Sequence, residues 1–333
     1  MCYTVHDNFS PERIYIMKLR VAEVGIGGIS GAHIPAWNRM EDVELVAICD
    51  IRPEKMDRFD GMITARKYTD FDEMLEKETF DILDITLPTY MHADFAVKAL
   101  EKGIHVITEK PISLKKADVA RVYGAAERNN CFFMVAHVLR FWPEFMYLKD
   151  SIDTGRYGKL VSGTMTRLGS IPRSSWDNWM QDPERSGMVP FDLHIHDLDF
   201  LVYSMGTPKI DHIYHAMDYM HIVYKFGDVP VACESAWFHA PVNFCASFRF
   251  QFEKAVLYFD GGKLRISKDD WTSQDLDLNS SVEEGNYIPQ SDGYFNELRY
   301  FADCVKNGTK PEIMKPAELE TVLDAIAQIQ AAK

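Results

Sequence analysis

The chain has 333 residues, more than one hydrophobic core usually supports, so its length predicts two domains. Its 47% hydrophobic and 26% charged residues are ordinary globular proportions, which exclude a disordered, collagen-like or coiled-coil chain. The formal net charge of −14 disfavours nucleic acid and anionic membrane surfaces as partners.

The first part of the chain alternates short apolar runs with helical patterns. Strands are predicted, in chain order, at 19–24, 43–49, 81–86, 104–108 and 131–135, and helices at 27–40, 93–102 and 114–128. Strands separated by helices of this length imply βαβ crossovers and a parallel sheet covered on both faces. Residues 17–140 are therefore predicted to form a doubly wound α/β domain.

The pattern changes after residue 140, where alternation with a period of two residues takes over. Consecutive strands are predicted at 247–252 and 255–259, followed by the turn sequence Asp260-Gly261-Gly262. Helices at 293–305 and 316–332 close the chain. Residues 141–333 are therefore predicted to form an α+β domain with a large, mainly antiparallel sheet.

The cellular location is predicted from what the sequence lacks. No apolar stretch approaches the roughly 20 residues that span a bilayer, and the N-terminal residues do not follow the pattern of a secretory leader. The six cysteines are scattered without a Cys-x-x-Cys pair, which excludes a zinc ribbon and fits reduced thiols. We therefore expect a cytoplasmic protein with no membrane partner.

A glycine-rich segment, GIGGIS at 25–30, follows the first predicted strand and opens the first helix. The first glycine permits a tight turn, and the second lets main-chain N–H groups approach a pyrophosphate. The segment predicts a Rossmann-type NAD(P)-binding domain, although a simple glycine turn also explains it. The candidate cofactor contacts are Gly25, Gly27, Gly28 and Ile29.

A carboxylate lies at the end of the second predicted strand. Asp50 follows Gly25 by 25 residues, a spacing at which a carboxylate binds the ribose hydroxyls of NAD. Its charge repels the 2′-phosphate of NADP, so Asp50 and the adjacent Ile51 favour NAD. The nearby Arg52 leaves NADP open, and a polar strand end is the alternative interpretation of Asp50.

The third and fourth predicted strands end in Thr86-Leu87-Pro88 and Thr108-Glu109-Lys110-Pro111. Ligands of open α/β sheets bind outside the carboxyl ends of the strands, so both loops are expected to face the cofactor. A lysine here polarises a carbonyl or hydroxyl oxygen and stabilises a developing alkoxide. A surface lysine paired with a carboxylate is the alternative for Lys110.

The densest polar cluster is FDLHIHDLDF at 191–200. Asp192 and His196 are four residues apart and share one face of a helix, where the carboxylate can orient an imidazole acting as a general base. Asp192, His194 and His196 as metal ligands are a second interpretation, which we reject because residues two apart on a helix diverge. A helix N-terminus that carries acidic residues is the third.

Taken in order, the glycine segment, Asp50, Glu109-Lys110-Pro111 and the Asp192–His196 pair resemble the glucose–fructose oxidoreductase/inositol dehydrogenase (GFO/IDH/MocA) family. The resemblance extends from about Leu19 to the C-terminal helices. Further similar segments lie at 31–36, 88–93, 102–111, 137–143 and 155–159. The Glu-Lys-Pro element is fairly specific for the family, whereas the glycine segment is not.

The resemblance implies a Rossmann domain and an open-faced antiparallel sheet domain that forms homodimers or homotetramers through the free sheet face. It implies hydride transfer between a nicotinamide and a hydroxyl or carbonyl carbon of a sugar, polyol or inositol. Lys110 would contact substrate and cofactor, His196 would be the base, and Asp192 would orient it. The further residues placed beside the cofactor are Thr86, Pro88, His92, Glu109 and His137.

His194 departs from the family pattern, which commonly has a small residue there, and we expect it to narrow the pocket or to alter the pKa of His196. The candidate substrate contacts are Arg167, Trp176, Trp179 and Tyr294. Aromatic faces stack on sugars and an arginine binds a carboxylate, although ordinary packing explains each residue as well. Contact with Arg167 would indicate an acid sugar in place of a neutral polyhydroxylated substrate.

Two other functions remain open at this point. A cofactor-binding regulator on the same fold would have lost turnover, but such proteins usually lack the lysine or histidine that this chain retains as Lys110 and His196. An NAD-dependent glycoside hydrolase would oxidise its substrate transiently and regenerate the cofactor. Net NADH production from free sugars separates a dehydrogenase from the hydrolase.

Overall fold

The N-terminal part of the protein forms a six-stranded parallel sheet. The computed structural model describes residues 18–216, 218–278 and 292–332. The strands are β1 (Leu19–Val24), β2 (Val43–Cys49), β3 (Arg66–Tyr68), β4 (Ile82–Ile85), β5 (His105–Glu109) and β6 (Phe133–Ala136). Their order is β3-β2-β1-β4-β5-β6, which is the Rossmann order and confirms the predicted fold class.

Helices cover both faces of this sheet, and the strands are accordingly buried on both sides. Every residue of β4 and of β6 is buried, as expected for strands of a covered parallel sheet. The helices are α1 (Ser30–Asn38), α2 (Pro53–Asp57), α3 (Phe71–Lys77), α4 (His92–Leu100) and α5 (Ala117–Arg128). Short 3-10 turns follow β4 at Thr89–Met91 and β6 at Val138–Arg140.

The second part of the protein is an eight-stranded sheet, in which only the β7–β10 pair is parallel. Its strands are β7 (Leu160–Ser170), β8 (Lys209–Ala216), β9 (Tyr219–Phe226), β10 (Val229–Phe238), β11 (Cys245–Phe252), β12 (Ala255–Phe259), β13 (Leu264–Lys268) and β14 (Ser273–Leu276). Their order is β14-β13-β12-β11-β7-β10-β9-β8. Buried and part-exposed residues alternate along β7 and β9, so one face is covered and the other is open.

One helix precedes β7, two helices and a π turn lie between β7 and β8, and two more helices follow the last described strand. They are α6 (Pro143–Thr154), α7 (Pro183–Ser186), α8 (Ile195–Met205), α9 (Gly293–Asn307) and α10 (Pro316–Ala331), with a 3-10 turn at Trp176–Gln181 and the π turn at Pro190–His194. On the covered face, Phe145 of α6 lies 5.0 Å, between ring centroids, from both Phe200 of α8 and Phe248 of β11. This aromatic contact anchors α6 and α8 to the sheet.

The C-terminal helices return to the first sheet. Helix α9 packs on α1, and α10 packs on both α5 and α8. Arg140 links the two parts, because its Nη1 donates to the carbonyl oxygen of Ile313 and to Glu318, each at 2.6 Å. The domain boundary near residue 140 stays a prediction. Within the described residues, we find no helix with the length and apolar character needed to span a membrane.

Candidate functional site

The glycine turn after β1 lies against the loop that follows β4. Gly25 has φ +93°, and a Cβ there would lie 2.7 Å from the main-chain nitrogen of Leu87, so glycine is required. A Cβ at Gly28 would meet nothing within 4 Å, and one at Gly27 would meet only a carbonyl oxygen at 4.0 Å. Space is therefore open beside Ile29 and the N-terminus of α1, where a pyrophosphate fits.

The carboxylate at the end of β2 is held by the arginine two residues later. Oδ1 of Asp50 accepts from the main-chain N–H of Arg52 at 2.8 Å and from its Nε at 3.3 Å. Ile51 between them is 63% exposed, so this strand end lies at the surface. The position is the one from which a Rossmann domain reads a ribose, and a guanidinium lies directly beside it.

A second arginine near the cofactor site contacts the glycine turn, and this contact was not predicted from the sequence. Arg58 follows α2, and its Nη2 donates to the carbonyl oxygen of Gly27 and, at 2.8 Å, to Oγ of Ser30. A guanidinium here adds positive charge where a pyrophosphate fits. No periodicity relates position 58 to the glycine segment, so the sequence carried no signal for this contact.

Thr86 and Pro88 form the loop that faces the glycine turn. The hydroxyl of Thr86 donates to the carbonyl oxygen of Gly25 at 2.7 Å, which ties the end of β4 to the turn. Pro88 immediately precedes the 3-10 turn Thr89–Met91. Both residues therefore lie at the expected edge of the sheet, and the Thr86 hydroxyl supports the turn.

His92 joins two loops of the first sheet. Its Nδ1 lies 2.7 Å from the carbonyl oxygen of Pro111 and its Nε2 lies 2.6 Å from that of Leu87. The side chain is almost fully buried. Because both ring nitrogens face main-chain oxygens, His92 holds the two loops together, and its contact with the cofactor stays a prediction.

Lys110 reaches from the first sheet to the second part of the protein. Its Nζ donates to the main-chain oxygen of Asp192 at 2.7 Å and to Oδ1 of Asp192 at 3.1 Å. The side chain is only 12% exposed. Asp192 lies in the π turn Pro190–His194. Such a turn departs from regular helical hydrogen bonding, and π turns are frequent at functional sites. The ion pair therefore brings the end of β5 to the segment that precedes His196.

Glu109 binds the protein with both carboxylate oxygens. Oε2 accepts from the main-chain N–H of Lys110 and Oε1 lies beside Nε2 of His33, each at 3.1 Å. Burial opposes ionisation, but the hydrogen bond and charge of His33 outweigh it and lower the pKa of Glu109. Glu109 thus supports the Lys110 loop, and its contact with the cofactor stays a prediction.

His196 lies at the start of α8 with its imidazole in neutral form. Burial, followed by the positive charge of Lys110, holds the pKa of His196 well below its ordinary value. In the part of the chain that the structure describes, its buried Nδ1 has no hydrogen-bond partner. The expected bond from Asp192 to His196 is therefore corrected, because Asp192 binds Lys110.

His137 follows β6 and lies on the same side as Lys110 and His196. Its buried Nδ1 is 3.6 Å from Oδ2 of Asp199. Burial lowers the pKa of His137 to about 4, so its ring is neutral. Asp199 itself is held by Arg140 through contacts of 2.9 and 2.7 Å. Nδ1 of His137 is therefore inside the protein, and among the described residues it makes no hydrogen bond.

Arg167 is committed to an internal ion pair. Its Nη2 and Nε contact Oδ1 of Asp197 at 2.7 and 3.3 Å, and both side chains are nearly fully buried. Asp197 was interpreted only as part of an acidic helix N-terminus. The predicted contact between Arg167 and a substrate is corrected, because the guanidinium has a carboxylate partner inside the protein.

The three aromatic candidates for substrate contact differ in their position and exposure. Trp176 is exposed and Trp179 is half-buried within the turn Trp176–Gln181. Tyr294 of α9 is half-buried, with its ring centroid 6.0 Å from that of His33 and 6.2 Å from that of Trp142. Substrate contact stays a prediction for all three residues.

His194 faces the second sheet. Its Nε2 lies 2.6 Å from the hydroxyl of Tyr224 and its Nδ1 lies 3.2 Å from Oγ of Ser235. Burial lowers the pKa of His194 to about 3, so the ring is neutral. The expectation that His194 narrows the pocket is corrected, because its side chain packs against β9 and β10.

The residues at this edge fit a dinucleotide. The open space above Gly27 and Gly28 and the carboxylate of Asp50 both lie at carboxyl ends of strands of the first sheet. Across residues 18–216, 218–278 and 292–332, no group of three or more His, Cys, Asp or Glu side chains is arranged to hold a metal ion.

Two family models match the chain. The model described as oxidoreductase family, NAD-binding Rossmann fold matches residues 19–137, and the GFO/IDH/MocA C-terminal domain matches residues 145–258. The chain belongs to the GFO/IDH/MocA family. This confirms the family predicted from the sequence, its oxidoreductase class and the NAD-binding type of the first sheet.

The chain shares less than a third of its aligned residues with each of three individual relatives. The chain is 24% identical over 311 residues to Myo-inositol 2-dehydrogenase from Thermotoga maritima, covering 89% of this chain and 90% of that protein. It is 28% identical over 185 residues to 2,7-anhydro-N-acetylneuraminate hydratase from Mediterraneibacter gnavus, covering 56% of this chain and 49% of the hydratase. The WlbA dehydrogenase from Bordetella pertussis, solved with NADH and UDP-GlcNAcA, has the same fold, with TM-score 0.75, 22% identity and 94% coverage of both chains.

Proposed function

We propose that this protein is an NAD(P)-dependent dehydrogenase that acts on a CH–OH group of a neutral sugar, polyol or inositol. The observation that carries the proposal is the contact between Lys110 and Asp192, because it brings a strand end of the Rossmann sheet to the segment that holds His196. A bound nicotinamide supplies the hydride acceptor or donor.

Lys110 binds the reacting oxygen and stabilises its developing negative charge. Asp192 holds the ammonium through its carboxylate and its main-chain oxygen, so the charge is placed before a substrate arrives. Asp192 also offers an acceptor for a neighbouring substrate hydroxyl. We assign substrate binding to Asp192 and oxyanion stabilisation to Lys110.

His196 takes the hydroxyl proton in the oxidation direction. Its depressed pKa keeps the imidazole neutral at physiological pH, which is the form that accepts a proton. The ammonium that lowers the pKa of His196 also lowers that of a hydroxyl bound to it. The pKa of the hydroxyl that gives up the proton and the pKa of the imidazole that accepts it are therefore both lowered. Proton transfer between two groups of matched pKa remains favourable.

The preference for a neutral substrate rests on how the buried cations are paired. Lys110 binds Asp192, Arg167 binds Asp197 and Arg140 binds both Asp199 and Glu318. These three described cations already have carboxylate partners, so a substrate carboxylate would displace one of them at a cost in desolvation. Polyols need hydrogen-bonding groups only.

We assign NAD as the preferred cofactor because of Asp50, which Arg52 contacts, with Arg58 beside the site of the cofactor's phosphates. We also propose a homodimer or homotetramer formed through the open face of the second sheet, where Val223 of β9 is half-buried. Light scattering is expected to give a multiple of the 38.3 kDa chain mass. The variant Val223→Lys is expected to shift that mass toward the monomer.

A screen of neutral aldoses, polyols and inositols against uronates, with NAD and with NADP, tests the activity. Net NADH formation from a neutral polyhydroxylated compound is expected. Turnover confined to uronates would contradict the substrate class. Cleavage or hydration of a glycoside without net NADH would favour transient oxidation, and nucleotide binding without any turnover would favour a regulator.

A further inference from the structure

A histidine of α1 connects two strands of the first sheet behind Lys110. His33 is fully buried. Its Nδ1 lies 2.8 Å from Oδ2 of Asp84 at the β4 end, and its Nε2 lies 3.1 Å from Oε1 of Glu109 at the β5 end. Both partners are carboxylates, which only accept hydrogen bonds, so the ring fills both contacts as a donor only when both nitrogens are protonated.

The chain of contacts continues in both directions. Oδ2 of Asp84 also accepts from Nε1 of Trp37 at 2.7 Å, which fixes that carboxylate from a second side. Oε2 of Glu109 accepts from the main-chain N–H of Lys110 at 3.1 Å. A buried series therefore runs from Asp84 through His33 and Glu109 to the backbone of the lysine.

We propose that His33, as an imidazolium between Asp84 and Glu109, is a positioning residue for Lys110. The proposal rests on the function assigned above to Lys110. A cation at His33 holds the Glu109 carboxylate in one orientation, and that carboxylate holds the main-chain N–H of Lys110. Without the charge on His33, Glu109 would be a buried carboxylate that lacks a cation on this side, and it would reorient or take up a proton.

The groups that surround His33 agree with a charged ring. Burial alone would lower the pKa of His33, but Asp84 and Glu109 outweigh it and hold the value well above its ordinary one. Glu23 of β1 and Glu297 of α9 also face this site, and burial raises the pKa of each. Tyr294 completes the surroundings through its ring. Asp84 and Glu109 thus favour the imidazolium, while burial makes ionisation of Glu23 and Glu297 less favourable.

NMR of ¹³C,¹⁵N-histidine-labelled protein tests the charge without any substrate. The His33 signal is identified by its loss in His33→Gln. It is expected to remain that of an imidazolium from about pH 6 to pH 9, well above the ordinary histidine pKa of about 6.5. In Asp84→Asn, one carboxylate is lost, the pKa of His33 falls, and the ring is expected to titrate within this range. A wild-type His33 that is neutral at pH 7 would overturn the proposal.

Amide hydrogen exchange of the peptide that contains Lys110 tests the positioning and also needs no substrate. The measured quantity is the exchange rate of the Lys110 amide in Asp84→Asn divided by that in wild type at the same pH. At about pH 9, where His33 of the variant is neutral, this ratio is expected to be at least tenfold larger than at about pH 6. Glu297→Gln is the matched control, because it changes a buried carboxyl beside His33 that has no hydrogen-bond partner among the described residues. Equal protection in Asp84→Asn and wild type at both pH values would overturn the proposal.

Turnover supplies the functional readout once a substrate from the screen is known. Because the protonated ring is the working form, kcat of Asp84→Asn is expected to fall as pH rises through the lowered pKa. We expect kcat within about twofold of wild type near pH 6 and about tenfold lower near pH 9, with an unchanged KM for NAD. The same loss at both pH values would indicate a purely structural role and contradict the proposal. If the screen finds no substrate, the proposed function fails, while the two substrate-free measurements still decide whether His33 holds Lys110.

Discussion

The ammonium of Lys110 donates to Asp192 twice, at 2.7 Å to the main-chain oxygen and at 3.1 Å to the carboxylate. The two residues are 82 positions apart, Lys110 directly after β5 of the first sheet and Asp192 in the π turn of the second part. Their contact joins the end of β5 to the π turn before α8, so the reacting groups are assembled from both parts of the chain. Each half alone lacks the complete set of groups that we assign to proton and hydride transfer.

Replacement of Lys110 by methionine is expected to lower kcat by about 10²–10³-fold, because one stabilising contact to a developing oxyanion is lost. NAD affinity, measured by quenching of protein fluorescence, is expected to stay largely intact. Lys115→Met is the control, since Lys115 is exposed a few residues later on the same loop. Turnover of Lys110→Met at the rate of the control would refute the assigned role.

His196→Ala is expected to lower kcat for oxidation by about 10²–10⁴-fold, the usual range for loss of a general base. Since the pKa of His196 lies well below its ordinary value, the base is neutral from physiological pH upward. Wild-type kcat is therefore expected to lose the contribution of this base only as the pH falls well below 6.5. His212→Ala changes an exposed histidine of β8 and serves as the control. An acid limb centred near pH 6.5 and unchanged in His196→Ala would show that another group titrates.

Asp50→Ala is expected to weaken NAD binding by about tenfold or more, because a charge-assisted hydrogen bond to the ribose is lost. NADP affinity is expected to hold or improve, because Arg52 and Arg58 remain and the repulsion of the 2′-phosphate is removed. Calorimetric titration of both nucleotides measures the difference, with the exposed Glu54→Ala as control. An equal loss for the two nucleotides would show that Asp50 does not discriminate between them.

Asp197→Asn is expected to destabilise the fold by about 3–5 kcal/mol, because it leaves Arg167 buried without a charged partner. Urea unfolding followed by circular dichroism measures the loss. Arg265→Ala breaks an exposed pair with Asp275 and is expected to leave the unfolding midpoint nearly unchanged. Equal midpoints for Asp197→Asn and wild type would mean that the buried pair does not stabilise the protein.

The sequence predicted those parts of the fold in which local patterns are strong. Buried apolar runs located β1 and β2 to the residue, and the glycine pattern correctly predicted a tight turn at Gly25, which has a positive φ. Strand β3 was not predicted, because Arg66, Lys67 and Tyr68 carry no apolar pattern and the strand is defined by pairing with β2. Short edge strands of this kind depend on tertiary contacts.

The candidate site shows the same difference between residues that a local pattern predicts and contacts that depend on the folded chain. Lys110, Asp192 and His196 are predicted as site residues because their residue types and spacing suggest chemistry that few other roles explain, and the structure brings Lys110 to Asp192. The partners of buried charges were not found, because the contact of Arg167 with Asp197 joins residues 30 positions apart and that of His33 with Glu109 joins residues 76 apart. Long-range contacts also hold His194, through Tyr224 and Ser235, whereas His92 contacts main-chain oxygens 5 and 19 positions away.

The most direct test of the account is the pKa of the His196 imidazole, measured by NMR in the wild type and in Lys110→Met, with Lys115→Met as control. If the two side chains share one site, removal of the ammonium eliminates a nearby positive charge and the pKa of His196 rises toward its ordinary value. The control is expected to match the wild type. An identical pKa of His196 in all three proteins would show that Lys110 and His196 do not act on the same bound molecule, and the proposed hydride transfer would lose its basis.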